Sequence, residues 1–258
     1  MVKLKNYNVV LKHFVLLLTF ITCIACAEKK YTVTKIEGKE IAITDKNSKV
    51  AELENFIKPY RDKIDADLNK VLANAPETLD KSGEWQTSMG NFLADITFEK
   101  ADKVFRLREK KSLDICILNH GGIRSIIPKG NVTARTAYEV MPFENSAVVI
   151  ALKGEQILEI VNYIISEKKP HPLTGLTFTI DKNNKAKEIL VQESLLDNNK
   201  IYYVVTSDYL SNGGDNMLFF KKGVAHYDLE YKLRNIIIDY FKENQTITAN
   251  KDIRIIKE

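Results

Sequence analysis

The run Leu113 to Leu118, LDICIL, is almost entirely apolar. A short apolar run of this kind is typical of a buried strand. It ends abruptly in the polar, glycine-rich stretch Asn119-His120-Gly121-Gly122-Ile123-Arg124. Because loops at the ends of strands commonly carry function, the pattern predicts a sheet with a functional loop at its edge.

Apolar spacing predicts the other elements. Between Val50 and Leu72 the apolar positions recur every three or four residues and predict an amphipathic helix that Pro59 bends or interrupts. Further helices are expected to start at Thr87 or Ser88, after Thr133 as N-cap, and over residues 154–168 and 229–244. Strands are expected over 146–154, 176–181, 188–194, 201–210 and 252–256, and a hairpin over Tyr31 to Thr44. Since strands and helices mix without regular alternation, the predicted class is α+β, with mixed sheets layered with helices.

The N-terminus has the pattern of an export signal. Lys3, Lys5 and Lys12 precede an uncharged apolar run from Phe14 to Ala25, which is too short to span a bilayer comfortably as a helix. The run ends in a pattern that resembles a bacterial lipoprotein signal, which predicts lipidation of Cys26, with Cys23 and an ordinary cleaved signal as the alternatives.

These features predict an exported protein at the periplasm or cell surface, held at the membrane by a lipid anchor alone. The expected organisation is a signal peptide over residues 1–25, a tether and hairpin over 26–48, and one domain over 49–258.

Charge and cysteine content exclude some functions. The formal charge of +4 includes three lysines of the predicted leader, so the remaining domain is close to neutral and no nucleic-acid partner is expected. Beyond the leader region only Cys116 remains, within the apolar run, where it is expected to be a core residue. No disulfide or cysteine-based metal site is therefore predicted.

Three polar stretches interrupt the packing pattern at element ends: 119–124, 141–145 and 209–215. The first offers glycines for close backbone approach, the amide of Asn119 and the guanidinium fork of Arg124. The other two offer the rings of Phe143 and Tyr209. Together they suggest a pocket in which a flat ring lies between aromatic side chains, whereas singly each also fits a glycine turn, a core ring or a surface arginine.

Three segments carry a resemblance to a known family: TSMGNFLADITFEKA, LNHGGIRSIIPKGNVTARTAYEVMPFENSAVVIALKGEQI and YYVVTSDYLSNGGDNMLFF. In this order they resemble the C-terminal domain of the 5′-nucleotidase family, over about residues 49–257. The resemblance implies an α+β domain that supplies the substrate pocket of a nucleotide hydrolase. The implied substrate-binding residues are Asn119, Gly121, Gly122 and Arg124 for sugar and phosphate, Phe143 and Tyr209 on the two faces of the base, Asp215 as a hydrogen-bonding group for the ligand, and Gly213 and Gly214.

The sequence departs from the family pattern at two positions near the pocket. Residues 81–86, Lys81 to Gln86, lack an arginine that relatives often carry there, which implies a weaker phosphate contact or one supplied by another chain. His120 replaces a glycine of the loop and adds a titratable side chain.

The largest departure concerns metal ligands. Full-length relatives carry a metallophosphatase domain with Asp-x-His, Gly-Asn-His-Asp/Glu and His-x-His motifs that bind two metal ions. Of the four histidines, His13, His120, His171 and His226, none stands in a metal-ligand spacing, and the Pro170-His171-Pro172 turn is expected to be an exposed loop. No catalytic residue, metal site or cofactor is therefore predicted in this chain, and divalent metals are expected in a partner.

The leading hypothesis is the nucleotide-binding half of a 5′-nucleotidase-type phosphomonoester hydrolase in nucleotide catabolism or salvage. Its expected ligand is a nucleoside 5′-monophosphate or a related nucleotide, and its expected partner is a separate metallophosphatase chain. The alternatives are a non-catalytic lipoprotein that binds nucleotides or nucleosides, and a scaffold that binds neither.

Overall fold

The computed structural model describes residues 7–24, 31–44 and 50–258, and the chain divides into two units, Met1–Ala51 and Glu52–Glu258. In the first unit, helix α1 spans Tyr7–Ile24. None of the helices in the described ranges is both long and apolar enough to cross a bilayer. Cys26, the predicted lipidation site, lies outside the described residues.

The prediction of a hairpin over Tyr31 to Thr44 is wrong. Residues 31–44 have no regular secondary structure, and apolar side chains such as Val33 and Ile36 are exposed. An alternating pattern does not hold two strands together unless a third strand or another element covers their apolar face.

Residues 51–258, all of which the structure describes, contain six α-helices and eleven strands. The helices are α2 Ala51–Leu68, α3 Ser88–Glu109, α4 Ala134–Val140, α5 Gly154–Glu167, α6 Asp208–Ser211 and α7 Leu233–Glu243. The strands are β1 Val71–Ala75, β2 Ile115–Ile117, β3 Gly130–Thr133, β4 Ser146–Lys153, β5 Leu173–Thr174, β6 Leu176–Ile180, β7 Ala186–Val191, β8 Ser194–Leu195, β9 Ile201–Ser207, β10 Ala225–Lys232 and β11 Ile255–Lys257. The mixture of helices and sheets confirms the predicted α+β class.

The strands form three sheets. The central sheet has five strands in the order β10-β4-β9-β2-β5, in which β2 runs parallel to β9 and the other pairs are antiparallel. A four-stranded sheet has the order β11-β6-β7-β8, and β1 pairs with β3 in a small third sheet.

The central sheet is buried on both faces, as its apolar runs require. Cys116 packs in the cluster formed with α3 and α7, whereas Ile115 and Ile117 pack in the cluster formed with α5 and the four-stranded sheet. Cys116 is fully buried and free, which confirms that it is a core residue. Burial raises the pKa of its thiol far above the ordinary value, so it stays protonated.

Two predicted helix starts are confirmed by their caps. The Thr87 side chain accepts a hydrogen bond from the Gly90 N–H at 2.8 Å, and Thr133 caps α4 in a capping box with Thr136. These caps satisfy backbone donors that have no partner within the helix.

Other boundaries differ from the prediction. Helix α2 continues through Pro59 and ends at Leu68, because the following residues enter β1 and pair with β3. The strand predicted to reach residue 210 ends at Ser207, whose side chain caps α6. Residues 229–232, predicted as helical, belong to β10, which supplies the missing hydrogen-bond partners on one side of β4.

Candidate functional site

The topology of the central sheet brings the three polar stretches together. The parallel strands β2 and β9 place their carboxyl ends at the same edge, and these ends lead into residues 119–124 and 209–215. Strand β4 runs antiparallel to β9, with Ala147 opposite Ser207, so its amino end and the preceding loop 142–145 lie at that edge too. Segments from separate parts of the chain therefore meet at one place.

A pocket of about 370 Å³ lies where they meet, within the usual range of about 300–1,000 Å³ for ligand sites. Seven of the nine predicted binding residues line it, together with Asn145: Asn119, Gly121, Gly122, Arg124, Phe143, Tyr209 and Asp215. Phe143 and Tyr209 are 39% and 46% exposed, so neither side chain is enclosed by packed neighbours. Both are therefore accessible to a ligand in the pocket.

Asp215 links two parts of the pocket. Its carboxylate accepts a hydrogen bond from the Tyr209 hydroxyl at 2.9 Å and another from the Asn119 amide at 2.7 Å. Its backbone carbonyl accepts one from the Tyr163 hydroxyl at 2.8 Å. The hydrogen bond to Asp215 raises the pKa of Tyr209 above its ordinary value, so the hydroxyl remains a donor at neutral pH. These bonds fix the Tyr209 ring and the Asn119 amide before any ligand binds.

The remaining two predicted residues, Gly213 and Gly214, do not line this pocket. They line an adjoining depression, and Tyr209 and Asn145 line both. Gly213 has φ +87°, a conformation that favours glycine. A Cβ at Gly214 would lie 2.5 Å from the Tyr209 ring. Gly214 therefore makes the space that the ring occupies.

Arg124 supplies the positive charge of the pocket. Its guanidinium is exposed and lies 5.7 Å from the centroid of the Phe143 ring, in the range of a cation–π contact. No carboxylate in the described part of the chain forms an ion pair with it, so its charge is available to an anion. Lys81 lies behind the same loop, where its ammonium donates to the Ile123 carbonyl at 2.7 Å.

The prediction for the Pro170-His171-Pro172 turn is wrong, because the turn is buried beneath the loop. His171 is 4% exposed, and its Nδ1 accepts a hydrogen bond from the His120 N–H at 3.3 Å. The Leu118 N–H donates to the Pro172 carbonyl at 2.9 Å. The turn supplies partners to backbone groups that have none within the loop.

Both histidines favour the neutral form. Burial is the main cause that lowers the pKa of His171 to about 4, and the charges of His120 and Lys169 add to it. Burial, together with the charge of Lys81, also lowers the pKa of His120. His120 does not line the pocket, and its backbone N–H connects the loop to His171 in the buried turn.

The pocket does not suit a metal centre. In the described ranges no three His, Cys, Asp or Glu side chains lie close enough together to hold a metal ion. Of the polar groups that line the pocket, Arg124 repels a cation, and both oxygens of Asp215 already accept hydrogen bonds. What these groups suit is a ligand with a flat ring, hydroxyl or amide groups, and a negative charge.

The sequence did not identify two residues, Asn145 in the pocket and His171 beneath it. The position of Asn145 two residues after Phe143 is a signal that could have identified it. The burial of His171 had no local signal, because it results from pairing between β5 and β2.

Comparison with known proteins identifies the family. The model of the 5′-nucleotidase C-terminal domain matches residues 69–222. The trifunctional nucleotide phosphoesterase protein YfkN of Bacillus subtilis is 28% identical over 172 residues, which cover 61% of this chain and 11% of that protein. The 5′-nucleotidase of Vibrio parahaemolyticus is 19% identical over 223 residues, which cover 83% of this chain and 38% of that protein.

Among solved structures, the 5′-nucleotidase precursor from Thermus thermophilus superimposes with a TM-score of 0.68 and 26% identity, covering 80% of this chain and 43% of that one. The chain thus spans less than half the length of each of these relatives. Because the family model covers more than half of the chain, in the region that contains all three pocket stretches, the chain belongs to the 5′-nucleotidase C-terminal domain family.

Proposed function

We propose that this chain is the nucleotide-binding half of a 5′-nucleotidase-type phosphohydrolase and that hydrolysis takes place when a separate metallophosphatase chain joins it. The observation that carries the proposal is the pocket in which two exposed rings, Phe143 and Tyr209, stand with the uncompensated guanidinium of Arg124. A nucleoside 5′-monophosphate has the matching groups: a flat base, ribose hydroxyls and a phosphate.

The proposed division of labour follows from the chemistry of the residues. Stacking on the rings binds and orients the base, and Asn119 and Asp215 offer hydrogen-bonding groups to the sugar. The metals that activate water come from the partner, since the sequence contains none of the Asp-x-His, Gly-Asn-His-Asp/Glu or His-x-His motifs. The chain itself binds and positions the substrate.

Export and lipidation of Cys26 complete the proposal. They are supported by the lysines and the apolar run of the leader and by a cysteine that follows a small residue. Incorporation of a labelled fatty acid that is lost in Cys26→Ala checks this part.

The test compares hydrolysis of AMP by the purified mature chain, by a metallophosphatase encoded beside it, and by the two together with Mn²⁺. We expect turnover only in the mixture.

A separate binding measurement tests the pocket. Phe143→Ala should weaken AMP binding by about 1–3 kcal/mol, the usual value of a base–aromatic stack. Leu107→Ala, which removes an exposed apolar side chain away from the pocket, is the control.

Three results separate the alternatives. Turnover by the chain alone overturns the division of labour. Binding of AMP without turnover in any mixture supports a non-catalytic nucleotide-binding lipoprotein. Failure to bind AMP, adenosine or a nucleotide sugar in calorimetry leaves the scaffold without a nucleotide function.

A further inference from the structure

The loop that carries Phe143 is held from outside by the first turn of α7. The buried Arg234 side chain, 6% exposed, donates from one guanidinium nitrogen to the carbonyls of Pro142 and Phe143 at 3.2 and 3.3 Å. Its other terminal nitrogen pairs with the carboxylate of Glu144. One side chain therefore contacts three consecutive loop residues.

The two residues before Arg234 complete the attachment. The Lys232 ammonium donates to the Glu144 carbonyl at 2.6 Å, and the Leu233 N–H donates to the Asn145 carbonyl at 2.9 Å. As a result, all four carbonyls of residues 142–145 are bonded to residues 232–234. The loop forms no helix or strand of its own, so these bonds replace the ladder that would otherwise fix its backbone.

Arg234 is itself fixed on a second side. Its guanidinium lies 4.1 Å from the centroid of the Tyr138 ring on α4, a close cation–π contact. The hydrogen bond and charge of Arg234 lower the pKa of Glu144, so their ion pair is retained at neutral pH. A planar guanidinium with five donors suits this set of acceptors, whereas a lysine ammonium would not reach them all from one position.

We propose that Arg234 is a positioning residue for base recognition. It does not line the pocket, and it acts by holding the backbone of residues 142–145 so that the Phe143 ring stands at the pocket wall. Phe143 needs such support because its side chain has no polar group that could fix it. The inference rests on the proposed nucleotide function and adds a residue from a distant part of the sequence to it.

The experiment compares AMP with ribose 5-phosphate, which lacks the base, in calorimetric titration of the full mature chain. Arg234→Met should weaken AMP binding about tenfold, equivalent to about 1.4 kcal/mol and within the usual worth of a base stack, and leave ribose 5-phosphate binding unchanged. An equal loss for both ligands, or no loss for AMP, overturns the proposal. Arg106→Met, which removes an exposed arginine paired with Asp102 on α3, should change neither.

A double-mutant cycle tests whether Arg234 acts through the ring. In the Phe143→Ala background, Arg234→Met should weaken AMP binding less than about twofold, because the interaction it supports is already gone. Additive losses contradict the proposal. If Arg234→Met does not fold, Arg234→Lys keeps the charge, loses the fork, and should show the same selective loss for AMP.

Failure of the nucleotide function itself gives a different result. A wild-type chain that binds neither ligand contradicts the proposed function, and loop positioning is then measured by hydrogen exchange at the Leu233 amide, which donates to Asn145. Faster exchange in Arg234→Met supports the anchoring role of Arg234, and unchanged exchange overturns it.

Discussion

The two aromatic walls of the pocket are held in different ways. Tyr209 is fixed by its own hydroxyl, which donates to Asp215 shortly after α6. Phe143 has no such group, and its backbone is fixed by Arg234. A phenylalanine wall thus depends on a residue 91 positions away, whereas a tyrosine wall is fixed by a residue six positions away.

The supports behind the two walls also differ in their response to pH. Behind Asp215 lie Tyr163 and the buried His171, whose rings are 5.5 Å apart. Behind Phe143 lie an arginine, which stays charged, and Glu144, whose pKa is lowered. We therefore expect acid to destabilise the Tyr209 side before the Phe143 side.

Protonation of His171 should have the largest effect and tests this difference in pH response. Because the folded state keeps His171 neutral down to a pKa of about 4, the unfolded chain takes up a proton first as the pH falls below about 6.5. Relative to neutral pH, protonation of His171 in the unfolded chain lowers the free energy of unfolding by about 2 kcal/mol at pH 5 and by about 3 kcal/mol at pH 4. Urea unfolding of wild type and His171→Asn across this range should show that the variant loses less stability.

The asparagine keeps an acceptor for the His120 N–H and does not titrate, so it isolates the protonation of His171. Arg234→Met serves as the matched variant on the other wall and should show the pH dependence of the wild type between pH 7 and 5. Parallel curves for wild type and His171→Asn would contradict the assignment.

A glycine substitution tests how the Tyr209 wall is held. Gly214→Ala should weaken AMP binding, since the new Cβ would lie 2.5 Å from the Tyr209 ring and would displace it from the pocket wall. The expected loss is at most about 1–3 kcal/mol, the usual value of a base–aromatic stack. Gly38→Ala, outside the pocket in residues 31–44, is the control, because nothing would lie within 4 Å of the added Cβ. Equal effects in titration would show that the Tyr209 ring is not held in the position described.

The smallest expected effect is that of the tyrosine hydroxyl. Tyr209→Phe keeps the stacking face and removes two hydrogen bonds with Asp215, one donated to its carboxylate and one accepted from its N–H. This should weaken AMP binding by about 1 kcal/mol or less through loss of preorganisation. Phe143→Tyr is the reciprocal variant and should give no compensating gain, because the Phe143 wall is held through its backbone. Tighter binding by Tyr209→Phe would indicate that Asp215 works better when it is free.

Much of the fold follows from local signals in the sequence. Thr87 and Thr133 marked helix starts because a capping hydroxyl serves donors within three residues of it. The buried runs around Cys116 and in β4 marked interior strands. The prediction of secondary structure was wrong where it depends on a distant partner. Val71 and residues 229–232 were predicted as helical but form strands, because β3 and β4 pair with them. Residues 31–44 formed no hairpin although their pattern alternates.

The amino-acid sequence supplies the chemical groups of the pocket: two rings, an arginine, an amide, an acid and the glycines that make room for them. The folded structure sets how these groups are arranged, because the strand order of the central sheet brings particular loops together at one edge. It also decided which groups hold them, since the buried His171 and Arg234 obtain their partners from segments 51 and about 90 residues away. The sequence thus shows which contacts a side chain is able to make, and the packing of the chain decides which residues it contacts.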